Sequence, residues 1–277
     1  MNKIGIVFPT GRQDAAEYAR RAGTLLQKEG VQVLYEPEEP QIIPDSVPMS
    51  PENQPEMILS LGGDGTLLRA VKYALEPDVP VLGINLGHMG FLTETEPRAM
   101  EFAIQEVLAG EYSLEERAML LSSLEQGGSW PALNDTVITR AGNARLITMK
   151  VFVDGEEAAR YMSDGLIICT PTGSTGYSLS AGGPIVSPHV HCMVITPVCA
   201  HSLVNRSMVV HGRAKVRVEM QDDAEMTAML QVDGKNCAVL HSGNVVEVHR
   251  PEKRAKLVRL HDLRFFSLVR HKLQEWS

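Results

Sequence analysis

One short segment of the sequence combines three glycines with a carboxylate. It reads Leu61-Gly62-Gly63-Asp64-Gly65-Thr66 and follows an apolar run. Glycines let the backbone approach a ligand closely, and the free N–H groups at the start of a helix favour phosphate. Asp64 would repel that phosphate unless it binds Mg²⁺ or accepts a proton from a substrate hydroxyl. The segment therefore predicts phosphoryl transfer, and an N-cap or Asx turn is the alternative role for Asp64. Arg69, one helical turn further on, could reach a phosphate or be a solvated helix residue.

A second segment is rich in hydroxyl groups, which seven of the eleven residues from Thr170 to Ser180 carry. Its composition resembles a flexible Gly/Ser linker. However, the apolar run Leu166 to Cys169 precedes it and Ile185-Val186 follows it, so the hydroxyls should be held in place. A rigid cluster of this kind suits ribose and pyrophosphate, and the ring of Tyr177 can stack on a base.

A third candidate is the pair Asn134-Asp135, which stands at the entrance of an apolar run. An amide beside a carboxylate can bind both hydroxyls of a ribose. At the start of a strand, such a pair is more often part of a turn.

The cysteines, at positions 169, 192, 199 and 237, lack CxxC spacing and lie in or beside apolar runs. This pattern is typical of buried free thiols. A zinc site that includes His189, His191 or His201 is the alternative interpretation.

The candidate residues must be positioned by the elements around them, and in the first half strands alternate with helices. We predict strands at 4–8, 31–35, 57–61 and 79–85, and helices at 14–29, 66–75 and 97–109. This order indicates a parallel sheet with helices on its faces, with ligands at the carboxyl ends of its strands. Both glycine-rich segments, 62–65 and 87–90, fall at that end. Six prolines between Glu36 and Pro55 predict a surface loop.

After about residue 110 the sequence becomes rich in short Val, Ile and Thr runs separated by turn signals. We predict strands at 134–140, 146–153, 166–170, 193–197, 214–220, 228–232 and 244–249, and a helix at 262–276. The expected domains are an α/β domain at 1–110 and a β-rich domain with a C-terminal helix at 111–277.

The composition limits the classes of protein to consider. The chain has 277 residues, of which 44% are hydrophobic and 22% charged, with a net charge of −8. These values exclude a disordered or fibrous chain, and the acidic balance disfavours nucleic acid and anionic membranes as partners. We find no run long enough for a membrane span and no signal peptide, and we therefore expect a cytoplasmic protein.

Taken together, these segments resemble the NAD kinase family over nearly the whole chain. The resemblance rests on GGDGT at 62–66, the second glycine-rich stretch at 82–92, Asn134-Asp135 and the long block from Asp164 to Pro184. The segments at 196–206 and 231–234 and the closing Phe265-Phe266 helix are also similar. The GGDGT motif alone is shared with lipid kinases, whereas the TPTGST block is far more specific.

The resemblance implies ATP-dependent phosphorylation of the 2′-hydroxyl of the adenosine ribose of NAD, giving NADP, with Mg²⁺ or another divalent metal. It implies a Rossmann-like α/β domain with a parallel sheet, a β-rich C-terminal domain and an active site in the cleft between them. It also implies a homodimer or homotetramer in which neighbouring subunits complete the sites. Asp64 would be the proton acceptor.

The resemblance implies substrate-binding roles for further residues, and it assigns no residue as a metal ligand. They are Gly62, Gly63, Asp64, Gly65, Thr66, Arg69, Asn134, Asp135, Arg145, Met162, Asp164, Thr172, Thr175, Gly176, Tyr177, Ser178, Leu179, Ser180 and Lys235. The sequence departs from the family pattern at Gly176, Ala200, Ser207 and Lys235, where Ala, Pro, Pro and Gln are common.

Two alternatives remain open at this point. One is a lipid kinase of the diacylglycerol-kinase type, which shares GGDGT, although the sequence shows no amphipathic membrane-binding helix. The other is a dinucleotide sensor without catalytic activity.

Overall fold

The computed structural model of the protein describes residues 1–87, 90–142, 146–200, 206–221, 227–261 and 265–275. The chain forms two compact units. One contains residues 1–116 together with 255–277, and the other contains residues 117–254.

The first unit is built on a seven-stranded sheet whose order along the sheet is β3-β2-β1-β4-β5-β19-β6. Its strands are β1 (Lys3–Val7), β2 (Gln32–Tyr35), β3 (Val47–Pro48), β4 (Met57–Leu61), β5 (Val81–Ile84), β6 (Ser113–Arg117) and, from the end of the chain, β19 (Ala255–Arg259). The neighbouring pairs from β3 to β19 are parallel.

Helices α1 (Gln13–Lys28), α2 (Asp64–Leu75), α3 (Met100–Ala109) and α5 (Phe265–Glu275) belong to the same unit, and a 3₁₀ turn at Pro97–Ala99 precedes α3. The first helix buries Ala15, Ala19, Ala22 and Leu26, which recur at helical spacing. They pack with strand residues such as Ile6 and Leu59 in one core. Burying a side chain as large as leucine stabilises the fold by about 1.5–3 kcal/mol, which holds helix and sheet together.

The second unit contains two six-stranded antiparallel sheets, ordered β11-β10-β15-β18-β7-β8 and β14-β13-β12-β9-β16-β17. The strands are β7 (Leu120–Leu124), β8 (Ser129–Ala132), β9 (Asp135–Arg140), β10 (Ile147–Val153), β11 (Glu156–Ser163), β12 (Gly165–Cys169), β13 (Cys192–Val198), β14 (Met208–His211), β15 (Val216–Met220), β16 (Thr227–Val232), β17 (Lys235–His241) and β18 (Val245–His249). Met149 and Val218 of one sheet share a core with Ile138 and Leu230 of the other. The unit is therefore a sandwich of two sheets.

The structure confirms the predicted fold class, an α/β unit with a parallel sheet followed by a β-rich unit. The domain division differs from the prediction, because residues 255–277 belong with the first unit rather than with the β-rich one. The physical reason is β19, which pairs with β5 through Leu257 and Val81. None of the helices in the described part of the chain combines the length and apolar character that crossing a membrane requires.

Candidate active site

The two glycine-rich segments meet at the carboxyl edge of the first sheet, as their order along the chain predicts. Strands β4 and β5 pair in register with Leu61 opposite Ile84. Just beyond them, the Gly62 N–H donates to the Ile84 carbonyl at 2.9 Å, and the Leu86 N–H donates to the Gly62 carbonyl at 3.3 Å. The two loops therefore leave the sheet side by side.

Asp64 is the first residue of α2, and its carboxylate is held by the second glycine-rich loop. The Phe91 N–H donates to Oδ2 at 2.8 Å, and the Leu92 N–H donates to Oδ1 at 3.2 Å. The N-cap position is Gly63, with no side-chain cap, so Asp64 does not have the capping role that was its alternative. Since a carboxylate has about four acceptor sites, two remain for a substrate hydroxyl.

Gly90 makes this arrangement of Asp64 sterically feasible. A Cβ at position 90 would lie 1.9 Å from Asp64 Oδ1 and 2.5 Å from its Cγ. Any side chain there would displace the carboxylate or the loop. The sequence indicated a glycine-rich stretch here, but it did not reveal that the stretch holds Asp64.

Arg69 has a partner that the sequence reasoning missed. Its guanidinium forms a bidentate pair with Glu36, at 2.9 Å from Nε to Oε1 and 3.0 Å from Nη2 to Oε2. It also donates to the Phe8 carbonyl. The Glu36 side chain is only 3% exposed, so this ion pair is largely removed from water. The positive charge of Arg69 is therefore already balanced within the first unit.

In the second unit, the carboxylate of Asp233 organises the segment that carries Asn134 and Asp135. It accepts the N–H groups of Leu133 at 2.9 Å, Asn134 at 2.8 Å and Asp135 at 3.2 Å. Asp233 lies in the turn between β16 and β17 with a φ of 46°. The sequence showed an Asp-Gly turn here, and nothing in the local pattern indicated what its carboxylate binds.

Asn134 joins this segment to the hydroxyl-rich block. Its carbonyl accepts the Thr170 N–H at 2.9 Å, and the Thr170 hydroxyl donates to the Leu133 carbonyl at 2.6 Å. The side-chain Oδ1 of Asn134 is buried and has no hydrogen-bond partner among the described residues. An unsatisfied buried acceptor costs about 1–3 kcal/mol, which a ligand hydroxyl could recover.

Asp135 is 6% exposed. Burial, and to a smaller extent the nearby negative charge of Asp233, together raise the pKa of its carboxyl to about 7. The group therefore titrates near neutral pH, where its protonated form can donate a hydrogen bond and its ionised form can accept one.

The hydroxyl-rich block is a 3₁₀ turn at Thr172–Thr175 followed by the short helix α4 (Tyr177–Ser180), and not a flexible linker. Several of its hydroxyls serve the fold. Ser174 donates to the Pro171 carbonyl at 2.6 Å, and Ser178 bonds to the Thr196 hydroxyl at 3.1 Å. Both serine side chains are fully buried, whereas the ring of Tyr177 is 44% exposed. The part of the block that can meet a ligand is therefore smaller than its composition suggests.

The remaining predicted site residues fall in different surroundings. Asp164 pairs with Arg140 at 2.8 Å, and the Thr172 hydroxyl accepts a hydrogen bond from the buried Arg117 at 3.2 Å. Met162 and Lys235 are exposed on β11 and β17. Arg145 lies outside the described residues.

The structure tests the interpretations of the cysteines and of a metal site. All four cysteines are free thiols. Cys169 and Cys192 are buried as predicted, but Cys237 is only partly buried and Cys199 is exposed in a turn, which corrects the prediction for both. Burial raises the pKa of the Cys169 thiol to about 12.

The described residues contain no group of three or more His, Cys, Asp or Glu side chains that could hold a metal, and His201 lies outside them.

The sequence of this chain is similar to those of known proteins over most of its length. Residues 4–112 match the family model of the ATP-NAD kinase N-terminal domain, and residues 133–260 match that of the ATP-NAD kinase C-terminal domain. The NAD kinase of Syntrophotalea carbinolica is 38% identical over 99% of this chain and 98% of that protein. The NAD kinase of Moorella thermoacetica is 46% identical over 79% of this chain and 71% of that protein.

Two solved structures are similar along nearly the whole chain. Yeast NADH kinase, crystallised with NADH, has a TM-score of 0.86 at 27% identity and covers 98% of this chain and 86% of that one. An NAD kinase from Archaeoglobus fulgidus, crystallised with ATP, has a TM-score of 0.77 at 26% identity and covers 98% of both chains. With the glycine-rich loops around Asp64 and both domain models matched, the chain belongs to the NAD kinase family.

Proposed function

We propose that this chain phosphorylates NAD with ATP as the phosphoryl donor, giving NADP, and that the acceptor is the 2′-hydroxyl of the adenosine ribose. Membership of the NAD kinase family supports the reaction and the two substrates. The observation that carries the chemistry is the carboxylate of Asp64, fixed by the N–H groups of Phe91 and Leu92 at the start of α2. The comparisons give no support to the lipid kinase or the sensor.

In this reaction the ribose oxygen forms a bond to the γ-phosphorus of ATP, and the bond from that phosphorus to the bridging oxygen breaks, so ADP leaves. The hydroxyl proton passes to Asp64, whose carboxylate keeps two acceptor sites. Gly62, Gly63, Gly65 and Thr66 form the strand-to-helix turn around it, where backbone N–H groups and the helix dipole favour phosphate oxygens.

The ribose and the base would be bound by residues of the second unit. The unsatisfied Oδ1 of Asn134 suits a ribose hydroxyl as donor, and Asp135 can donate or accept beside it. Tyr177, whose ring is exposed, suits stacking on a base. We assign the other predicted contacts to the same substrates, except Ser178, which is fully buried in the fold: Arg69, Arg145, Met162, Asp164, Thr172, Thr175, Gly176, Leu179, Ser180 and Lys235.

A divalent metal fits this chain as a companion of the ATP phosphates. The described residues offer no cluster of three or more metal-binding side chains, whereas Mg²⁺ commonly binds through substrate phosphates and one or two carboxylates. When bound, the ion would balance phosphate charge. We also propose a cytoplasmic location, which four free thiols support, and a homodimer or homotetramer.

The direct test is NADP formation by the purified chain with ATP, Mg²⁺ and NAD, followed by an NADP-specific coupled assay. We expect one phosphate to be added per NAD. An NAD analogue that lacks the adenosine 2′-hydroxyl should bind and remain unmodified. Binding of ATP and NAD without any NADP would contradict the proposal, and phosphorylation of the analogue would contradict the assigned position.

A further inference from the structure

A cavity of about 800 Å³ in the second unit is lined by none of the residues assigned to NAD or ATP above. Its walls come from Ala118, from His191 just before β13, from His211 at the end of β14 with Gly212 and Arg213 after it, and from the segment after β18. That segment contributes Arg250, Pro251, Glu252 and Arg254. A volume of this size lies within the range of roughly 300–1,000 Å³ that small-molecule sites occupy.

The walls of this cavity are positively charged on a chain whose net charge is −8. Three arginines, Arg213, Arg250 and Arg254, line it together with one acid, Glu252. Like charges close together repel each other, and Arg254 is near enough to Arg250 to disfavour the charged form of that residue. The charge therefore selects a ligand with negative charge.

Arg250 is the arginine of this cavity whose positive charge is least compensated. It is partly buried and forms no hydrogen bond or ion pair with any residue that the structure describes. Burial lowers the pKa of its guanidinium, and the positive charge of Arg254 lowers it further. A partly desolvated cation without an acidic partner is what an incoming anion would stabilise.

The guanidinium of Arg250 packs against a backbone turn that is itself fixed. Gly212 donates its N–H to the His191 carbonyl at 3.0 Å, which fixes the backbone of the turn. A Cβ on Gly212 would lie 2.3 Å from Arg250 Nη1, so the guanidinium rests directly against this backbone. This packing restricts the positions open to the guanidinium, so less conformational freedom is lost when it binds a ligand.

We propose that this cavity is a binding site for a phosphorylated small molecule of nucleotide size that carries at least two negative charges. Arginine forks match pairs of phosphate oxygens. His211 adds a donor, because its Nδ1 accepts the Arg213 N–H at 3.1 Å, which places the proton of the neutral ring on Nε2. The site is additional to the one that carries out phosphoryl transfer.

The test is calorimetric titration of the full-length chain with inorganic pyrophosphate. Arg250→Gln should weaken the affinity at least tenfold. Arg160→Gln removes an exposed arginine of β11 in the same unit, and it should change the affinity less than twofold. Glu252→Gln removes the acid from the cavity wall, and it should increase the affinity at least twofold.

A further variant distinguishes binding in a shaped cavity from non-specific electrostatic attraction of pyrophosphate. Gly212→Ala keeps every charge, and its Cβ would lie 2.3 Å from Arg250 Nη1 and 3.1 Å from the carbonyl carbon of His191. The guanidinium must move, whereas the backbone has to give only slightly, so the fold should survive while pyrophosphate binds at least fivefold more weakly. Circular dichroism of each variant checks folding. Equal losses in Arg250→Gln and Arg160→Gln would show diffuse attraction and overturn the proposal.

Two other outcomes would also overturn it. Pyrophosphate that binds only where the ATP phosphates bind would be unaffected by Arg250→Gln. A change of oligomeric state in Arg250→Gln, with unchanged pyrophosphate affinity, would assign the arginines to contacts between copies of the chain. Because the titration requires no turnover, it remains valid for an inactive protein and is independent of the NADP assay.

Discussion

Gly90 lies so close to Asp64 that a Cβ at position 90 would stand 1.9 Å from Asp64 Oδ1. Gly90→Ala should therefore displace the carboxylate and lower kcat by about 100-fold, because a shift of about 1 Å in a reacting group has an effect of this size. Gly87→Ala is the matched control in the same loop, since a Cβ there meets no atom of the described residues within 4 Å. Steady-state kinetics of NADP formation compare the two, and equal rates would contradict the role given to Gly90.

Asp64→Asn should reduce kcat by about 10²–10⁴-fold with little change in the affinity for NAD, because a proton acceptor acts mainly in the transition state. The asparagine side chain can still accept one of the two N–H bonds from the loop. Turnover and NAD binding should be measured on the same preparation, with Asp14→Asn, an exposed acid of α1, as the control. Unimpaired turnover would remove Asp64 from the mechanism.

Asp233→Asn should raise the KM for NAD about tenfold and reduce stability by about 1–3 kcal/mol, because the uncharged side chain holds the three N–H groups of 133–135 less firmly. The chain contains a matched control in Asp154, which also lies in an Asp-Gly turn, with a φ of 51°. Its carboxylate accepts the Lys215 N–H at 2.8 Å. Asp154→Asn should change stability without changing the KM, and a KM effect in both variants would refute the specific role of Asp233.

Asp135 should make the stability of the protein depend on pH. Its folded-state pKa of about 7 lies above the ordinary aspartate value of about 4, so its contribution is complete below about pH 4 and is lost as the pH rises through 7. Asp135→Asn removes this titration. Urea unfolding at pH 5 and pH 8 should show the variant gaining about 1–3 kcal/mol relative to wild type at the higher pH. Parallel pH profiles of the two proteins would contradict the raised pKa.

Arg69→Gln should destabilise the protein by about 2–3 kcal/mol, because it takes the bidentate guanidinium away from the buried carboxylate of Glu36. Thermal unfolding measures the loss. In the double variant with Glu36→Gln, part of the stability should return, which a double-mutant cycle quantifies. If Arg69 also contacts ATP, the KM for ATP will rise in Arg69→Gln and stay high in the double variant.

The alternation of apolar runs and helical spacing was enough to predict four strands of the first sheet and its helices, but not β3, β6 or β19. The strand at 57–61, the helix that follows Gly63 and the strand within 79–85 all appear, because each pairs a buried run with a clear turn signal. Among the strands that sequence reasoning missed, β11 and β17 lack this contrast. Strand β11 has mostly exposed residues in its first half, and β17 alternates little, so their pairing partners determine their conformation.

Some residues of the candidate site can likewise be recognised from local sequence, whereas the contacts of others depend on the assembled fold. Asp64 and its glycines are recognisable from local sequence, because a strand, a turn and a helix follow one another within ten residues. The contacts from Glu36 to Arg69 and from Asp233 to Asn134 join residues 33 and 99 positions apart, and no local pattern encodes them. The burial that raises the pKa of Asp135 likewise depends on the assembled fold.

Strand β19 has a consequence for the synthesis of the protein. It lies between β5 and β6 in the first sheet, although 137 residues lie between the end of β6 at position 117 and the beginning of β19 at position 255. Glu94 fixes the returning segment by accepting the N–H groups of Leu260 and His261 at 2.9 and 3.0 Å. A growing chain on the ribosome therefore cannot complete its first sheet until the last strand has emerged, so the β-rich unit, whose strands are contiguous, is free to fold first.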